Sequence, residues 1–273
     1  MNTIFSYSDY HESSQLFYGL LMNVMGTRLD AILLGKDKNK SIICWNSIEQ
    51  EIIRLSKIFN KFDENSELFF INHRAFSDPQ KISDELWDIL KECQHHHKLT
   101  EGYFDITIGH FNSLIFDDEH KAISFMKENM EIDLGAFGKG YALDKIRKIL
   151  IDNGFSSSLI NFGNSSVLGL GTHPYGNCWP IGISNPFNSK KQIGVVELNN
   201  STMSTSGNMP SHKKHIINPH TGAYNEQRKL VTVRAVSPIE AEIISTTLMV
   251  LPLEMEEKVL SNYHIDKYWK YNL

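Results

Sequence analysis

Apolar and polar residues alternate between positions 24 and 45, which predicts two strands joined near Gly35-Lys36-Asp37. The period then changes. Ile48, Ile52, Leu55, Phe59 and Phe62 recur at helical spacing behind Ser47-Ile48-Glu49-Gln50, a capping-box pattern. A second helix is predicted from Ser83 to about His97, with Leu86, Ile89, Leu90 and Cys93 on its apolar face. A third opens at a glycine- and lysine-bearing loop and stops at Asn153-Gly154, a good C-cap. Short strands are predicted over Ser158–Phe162, Val167–Gly171, Trp179–Ser184, Ile193–Leu198 and Leu230–Val236. Ser237-Pro238-Ile239-Glu240 then opens a helix that runs to about Leu251, and a last helix covers roughly Leu253 to Tyr263. Helices and strands mix without a βαβ rhythm. Hairpin-like strand pairs therefore favour an α+β fold with antiparallel sheet. No repeat or linker divides the chain, so a single domain over residues 1–273 is expected.

Composition narrows the function. A chain of 273 residues with 41% hydrophobic positions can bury a core without metal or disulfide staples. The net charge of −5 argues against a nucleic-acid partner and means that an anionic ligand needs local positive charge. Cys44, Cys93 and Cys178 are far apart, no CxxC is present, and Cys93 reads as a buried thiol. His95-His96-His97 cannot converge on one ion, because neighbours on a helix point about 100° apart, so a solvated helix end is expected. The first residues lack a basic segment and a continuous apolar core, and no apolar run is long enough for a membrane span. A cytoplasmic protein is the default expectation.

The candidate chemistry lies in four places. Ile132-Asp133-Leu134-Gly135-Ala136-Phe137-Gly138-Lys139-Gly140 places glycines and one ammonium at a helix N-terminus, an anion site suited to phosphate. Glu242 and Thr246, four apart on a helix, share a face; they form either a polar stripe or oxygen ligands for a hard cation such as Mg²⁺. Thr205-Ser206-Gly207-Asn208 reads as a turn rich in hydroxyls. His215, before a Pro219–Gly222 turn, is either a general base or phosphate donor, or an ordinary strand histidine.

These blocks, taken in order, resemble the ApbE-like flavin transferases. The resemblance runs from Met25-Gly26-Thr27 through Ser66 to Asn72 and then Thr100-Glu101-Gly102-Tyr103-Phe104-Asp105-Ile106-Thr107. It continues through the lysine loop, Asn161 and Gly163, Thr205-Ser206-Gly207 and His215 to Gly222, and ends at Ala241-Glu242 with Thr246. The fold it implies is the ApbE-like T-fold, an α+β arrangement. The activity it implies is FAD:protein FMN transfer: FMN moves from FAD to a Ser or Thr hydroxyl of an acceptor flavoprotein subunit, and AMP leaves. Some relatives instead hydrolyse FAD to FMN and AMP, and a catalytically weakened FAD-binding paralogue is a further alternative.

The resemblance also implies roles. Mg²⁺ would sit on Glu242, Thr246 and the Ala136 carbonyl. Lys139 would face the phosphates and His215 would accept the acceptor's proton. Asp133, Thr205, Ser206 and Gly207 would contact or orient ligand groups, and Met25, Asn72, Tyr103 and Asp105 would line the FAD site. The family usually carries Asp where this chain has Glu242, a carboxylate displaced by roughly 1.5 Å. Gly163-Asn164-Ser165 stands in place of the family's Gly-Gly-Asp.

Overall fold

A computed structural model of the chain describes residues 4–210 and 215–273 (for Ser189, the backbone only). The chain opens with three antiparallel strands, β1 (Phe5–His11), β2 (Leu16–Val24) and β3 (Thr27–Leu34). Helices α1 (Lys38–Phe59) and α2 (Glu67–Arg74) follow, then β4 (Gln80–Lys81) and α3 (Asp84–Leu99). Strands β5 (Leu114–Asp117) and β6 (Ala122–Phe125) pair with β4 in a small separate sheet. After α4 (Gly138–Asp152) come β7 (Ser158–Phe162), β8 (Ser166–Leu170), β9 (Trp179–Asn185), β10 (Asn188–Leu198), β11 (Ser201–Gly207) and β12 (Lys229–Ala235). Helices α5 (Pro238–Val250) and α6 (Glu256–Leu260) precede the last strand, β13 (Ile265–Asn272). The fold is α+β, as the hairpin pattern predicts.

The main sheet has eight strands in the order β1-β2-β3-β7-β8-β11-β12-β13, and each neighbouring pair is antiparallel. Helix α1 packs on β2, α4 on β7 and β8, and α5 on β11 and β12. Phe17, Leu29, Ile160, Phe162, Leu168 and Val233 fill the space between this face and the helices. The opposite face carries a second, smaller core, where Val167, Met203 and Leu230 meet Trp179, Ile183, Val196 and Leu198 of the β9–β10 hairpin. Helix α5 packs beside α4 and buries Ala241, Ile243, Ile244, Leu248 and Met249 on several sides. Among the described residues no helix is long and apolar enough to cross a membrane.

Several expectations change. The segment after Gly35 is not a second strand: Asp37 accepts a hydrogen bond from the Lys40 backbone N–H at 3.0 Å and starts α1 there. Ser41, Cys44 and Trp45 continue the buried stripe of Ile48, Ile52, Leu55 and Phe59, so the helical period outcompetes the local alternation. Ser47 is therefore interior and donates back to the Ile43 carbonyl at 3.1 Å, while Phe62 lies beyond the helix and is 81% exposed. Residues 201–207 form strand β11, where a turn is expected around Thr205 to Asn208. Hydroxyl side chains read as turn formers, yet here they are satisfied by neighbouring strands and α5.

The histidine triple is also different from expectation. His95 is exposed, but His96 is buried with Nδ1 3.0 Å from the Tyr263 hydroxyl, and His97 is half-buried. They do not share a focus. The predicted final helix is only a short turn and α6, after which β13 closes the sheet edge against β12. Cys93 is buried, and burial pushes its thiol well above the ordinary value.

Candidate functional site

The site grows from three neighbours: the N-terminus of α4, the middle of α5 and the serine-rich end of β11. Ser237 caps α5 by accepting from the Glu240 N–H at 3.2 Å, with Pro238 in the first turn. That start places Glu242 on the side facing α4 and the sheet. Gly140 permits the close approach: a Cβ there would lie 2.7 Å from the Pro238 carbonyl and 3.1 Å from the Glu242 Cβ. One residue earlier, the Lys139 Nζ meets Glu242 Oε1 at 2.5 Å. The Glu242 side chain is 5% exposed and that of Lys139 is 21%. A buried charge of this kind persists only when paired and hydrogen-bonded.

The second carboxylate oxygen is held differently. Ser166 donates to Glu242 Oε2 at 2.5 Å and Ser204 does so at 2.8 Å. These serines face each other across the β8–β11 pair, so sheet register puts both hydroxyls under the helix. Two residues along β11, on the same face, the Ser206 hydroxyl lies 2.9 Å from both the Ser245 and the Thr246 hydroxyls. Sequence reading finds Glu242 and Thr246 by their helical spacing but misses Ser166, Ser204 and Ser245. Alternation of Ser204 and Ser206 along a polar strand is the local signal available for them.

The lysine loop is braced from below. Asn72 Nδ2 donates to the Ile132 carbonyl at 3.0 Å, and its Oδ1 accepts from the Ile132 N–H at 2.8 Å. Asp133 accepts from the Gly135 N–H at 2.7 Å and pairs with Lys61 at 3.0 Å. Burial alone would lower the Lys61 pKa, but Asp133 and Glu131 raise it above the usual lysine value. Asp133 therefore meets Lys61, and Lys139 meets Glu242.

These groups line a cavity of about 340 Å³. Its lining includes Asp133, Gly135, Ala136, Lys139, Glu242 and Thr246 on one side. On the other stand Tyr103, Asp105, Met209, exposed His215 and Ile217. Ser206, Gly207 and Thr205 complete it, although the Thr205 hydroxyl pairs with that of Thr232 at 2.9 Å on the next strand. Asp105 organises its own loop, accepting from the Thr107 N–H at 2.7 Å and the Gly109 N–H at 2.9 Å. The Tyr103 ring lies 4.2 Å from that of His220, whose Nε2 is 3.0 Å from the Glu101 carbonyl. A carbonyl only accepts, so that nitrogen carries the proton.

Asn72 and Met25 do not line this cavity, although the Met25 Cε reaches the start of α4 at Gly138. Asn72 acts on the backbone behind the lysine loop, and Met25 lines a separate cavity of about 580 Å³ beside α1. A larger cavity, about 710 Å³, adjoins the site through Asp105 and Pro219 and is lined by His97, Lys98, Phe111 and His220. In the smaller cavity a buried carboxylate, an ammonium, a helix N-terminus and several hydroxyls converge, which makes it the candidate site.

The ApbE family profile matches residues 25–123 and 110–269. The chain belongs to the ApbE family. Relatives of this ApbE-family chain include an FAD:protein FMN transferase of Klebsiella pneumoniae (strain 342), 24% identical over 86% of this chain and 79% of the relative. Another, the FAD:protein FMN transferase of Chlamydia muridarum (strain MoPn / Nigg), is 26% identical over 77% of this chain and 76% of the relative. Among solved structures, the flavin transferase ApbE from Vibrio cholerae superimposes with a TM-score of 0.77 at 20% identity, covering 98% of this chain and 96% of that one. The ApbE protein of Thermotoga maritima gives a TM-score of 0.74 at 20% identity, covering 95% and 91%. These likenesses establish the shared fold.

Proposed function

We propose that the chain is an FAD:protein FMN transferase, working as one unit across its length. The observation that carries this reading is the buried Lys139–Glu242 pair on the floor of a cavity whose walls bring together the sequence blocks around Tyr103, Asp133, Ser206 and His215. Curated relatives bearing that activity match most of the chain, which supports the same reading.

In the proposed reaction an acceptor Ser or Thr hydroxyl attacks the FMN-side phosphorus of FAD. A new P–O bond forms to the acceptor, the bridging P–O bond breaks, and AMP departs with the bridging oxygen. His215, exposed on the cavity wall, accepts the hydroxyl proton. Lys139 faces the pyrophosphate and stabilises its charge, with the positive end of the α4 dipole behind it. Ser206 and the Gly207 backbone offer hydrogen bonds to ligand oxygens, and the Tyr103 ring offers a flat apolar surface.

The donor set fits Mg²⁺. Its groups are hard oxygens, a carboxylate and a hydroxyl, and a cationic ammonium already sits on Glu242. Glu242, Thr246 and the Ala136 carbonyl are the groups that would hold the ion, which would supply charge neutralisation at the pyrophosphate.

The test is incubation with FAD and Mg²⁺, with and without an acceptor subunit bearing a Ser/Thr flavinylation motif. AMP release that requires the acceptor, together with covalent flavin on it, is the expected result. AMP and FMN released without acceptor would identify a pyrophosphatase, and FAD recovered intact would identify a binding module.

A further inference from the structure

Glu242 has one oxygen left for a cation. Its Oε2 accepts from Ser166 at 2.5 Å and from Ser204 at 2.8 Å, and these serines are fixed by strand register rather than by flexible loops. The remaining Oε1 is 2.5 Å from the Lys139 Nζ. With Oε2 taken by two hydroxyls, Oε1 is the side of the carboxylate open to positive charge, and two cations sharing that one oxygen repel strongly where the effective dielectric is low. Lys139 nevertheless has somewhere to go. It lies in the first turn of α4, lines the cavity, and its Nζ is already 3.4 Å from the Gly135 carbonyl on the phosphate-facing loop.

We propose that Lys139 is a resident counter-ion that holds the cation position of Glu242 until a divalent ion displaces it, and that displacement frees the ammonium for the pyrophosphate. This rests on the transferase reading of the site. Its consequence is a coupling the static pair does not show by itself. The metal and the flavin nucleotide assist each other's binding, because one evicts the lysine and the other receives it. By linkage, the effect is the same in either order of addition. In the absence of both, the lysine keeps a deeply buried carboxylate paired and the site closed on itself.

The experiment measures Mn²⁺ binding without FAD, from the free-ion electron spin resonance signal at pH 8, for the wild type, Lys139→Met and Lys139→Arg. Mn²⁺ affinity is expected to tighten about tenfold in Lys139→Met, a coupling of ordinary size, and not to tighten in Lys139→Arg, which keeps the charge. A measurement on the wild type needs no variant to fold. Acetic anhydride labelling of Lys139, read by mass spectrometry, should rise several-fold when Mg²⁺ is added and fall again with FAD present. Unchanged or weaker Mn²⁺ binding in Lys139→Met would overturn the proposal, as would labelling indifferent to Mg²⁺; either result leaves acceptor-dependent AMP release untouched. If no form binds Mn²⁺, with or without FAD, the cation site itself falls and the proposal falls with it.

Discussion

The two walls of the cavity are built in different ways. The floor, with Lys139, Glu242, Ser166, Ser204, Ser206 and Thr246, rests on two helices and two strands, and its hydrogen bonds link those elements to each other. The facing wall, with Tyr103, Asp105, His215 and Ile217, is carried by loops, which are bonded within themselves, to one another and to the ends of α3 and α5. Regular elements hold side chains to tighter positional limits than loops do. The floor is thus suited to a charged group that is common to every turnover, and the loop wall to parts that differ between acceptors or must admit a protein.

Glu242→Ala should break this division most severely. It removes the carboxylate and strands Lys139 and two serine hydroxyls, and AMP release from FAD should fall about a thousandfold. Full activity in that variant would show that the floor is not the reacting centre. His215→Ala, on the loop wall, should cut the transfer rate about a hundredfold while leaving the FAD dissociation constant near its original value. Calorimetric titration with FAD and single-turnover assays separate the two effects. Lys139→Ala should weaken FAD binding about tenfold, the worth of one charge-assisted hydrogen bond. Asn72→Ala should have the mildest effect. It removes both bonds to Ile132 and should lower stability by about 1–3 kcal/mol in urea unfolding, with the loss of activity following from a loosened lysine loop.

The same contrast explains what the sequence discloses. Helix α4 is legible because its glycine-rich start and its Asn153-Gly154 stop bracket it, and α5 because Ser237 and Pro238 mark its start, although its apolar residues face several sides. Glu242 and Thr246 are legible as a pair because helical spacing is a local property. Ser166 and Ser204 are not, because their meeting depends on the register of β8 against β11, and nothing within either segment states it. Strand β11 itself is masked by its hydroxyls, which favour turns unless neighbours satisfy them. The first two turns of α1 are hidden by the competition between Asp37 and Ser47 as helix starts; the buried stripe that decides it includes Ser41, a polar residue. On the loop wall, the block around Tyr103 and that around His215 are each visible as motifs, but their convergence on one cavity is a property of the folded chain alone.

The most direct test is a crystal structure with FAD and Mn²⁺, using anomalous scattering to locate the ion. The account predicts Mn²⁺ between Glu242 and Thr246, with the FAD pyrophosphate against Lys139 and the start of α4. A pyrophosphate bound instead in the larger cavity beside His97 and Lys98, with no ion at Glu242, would contradict it.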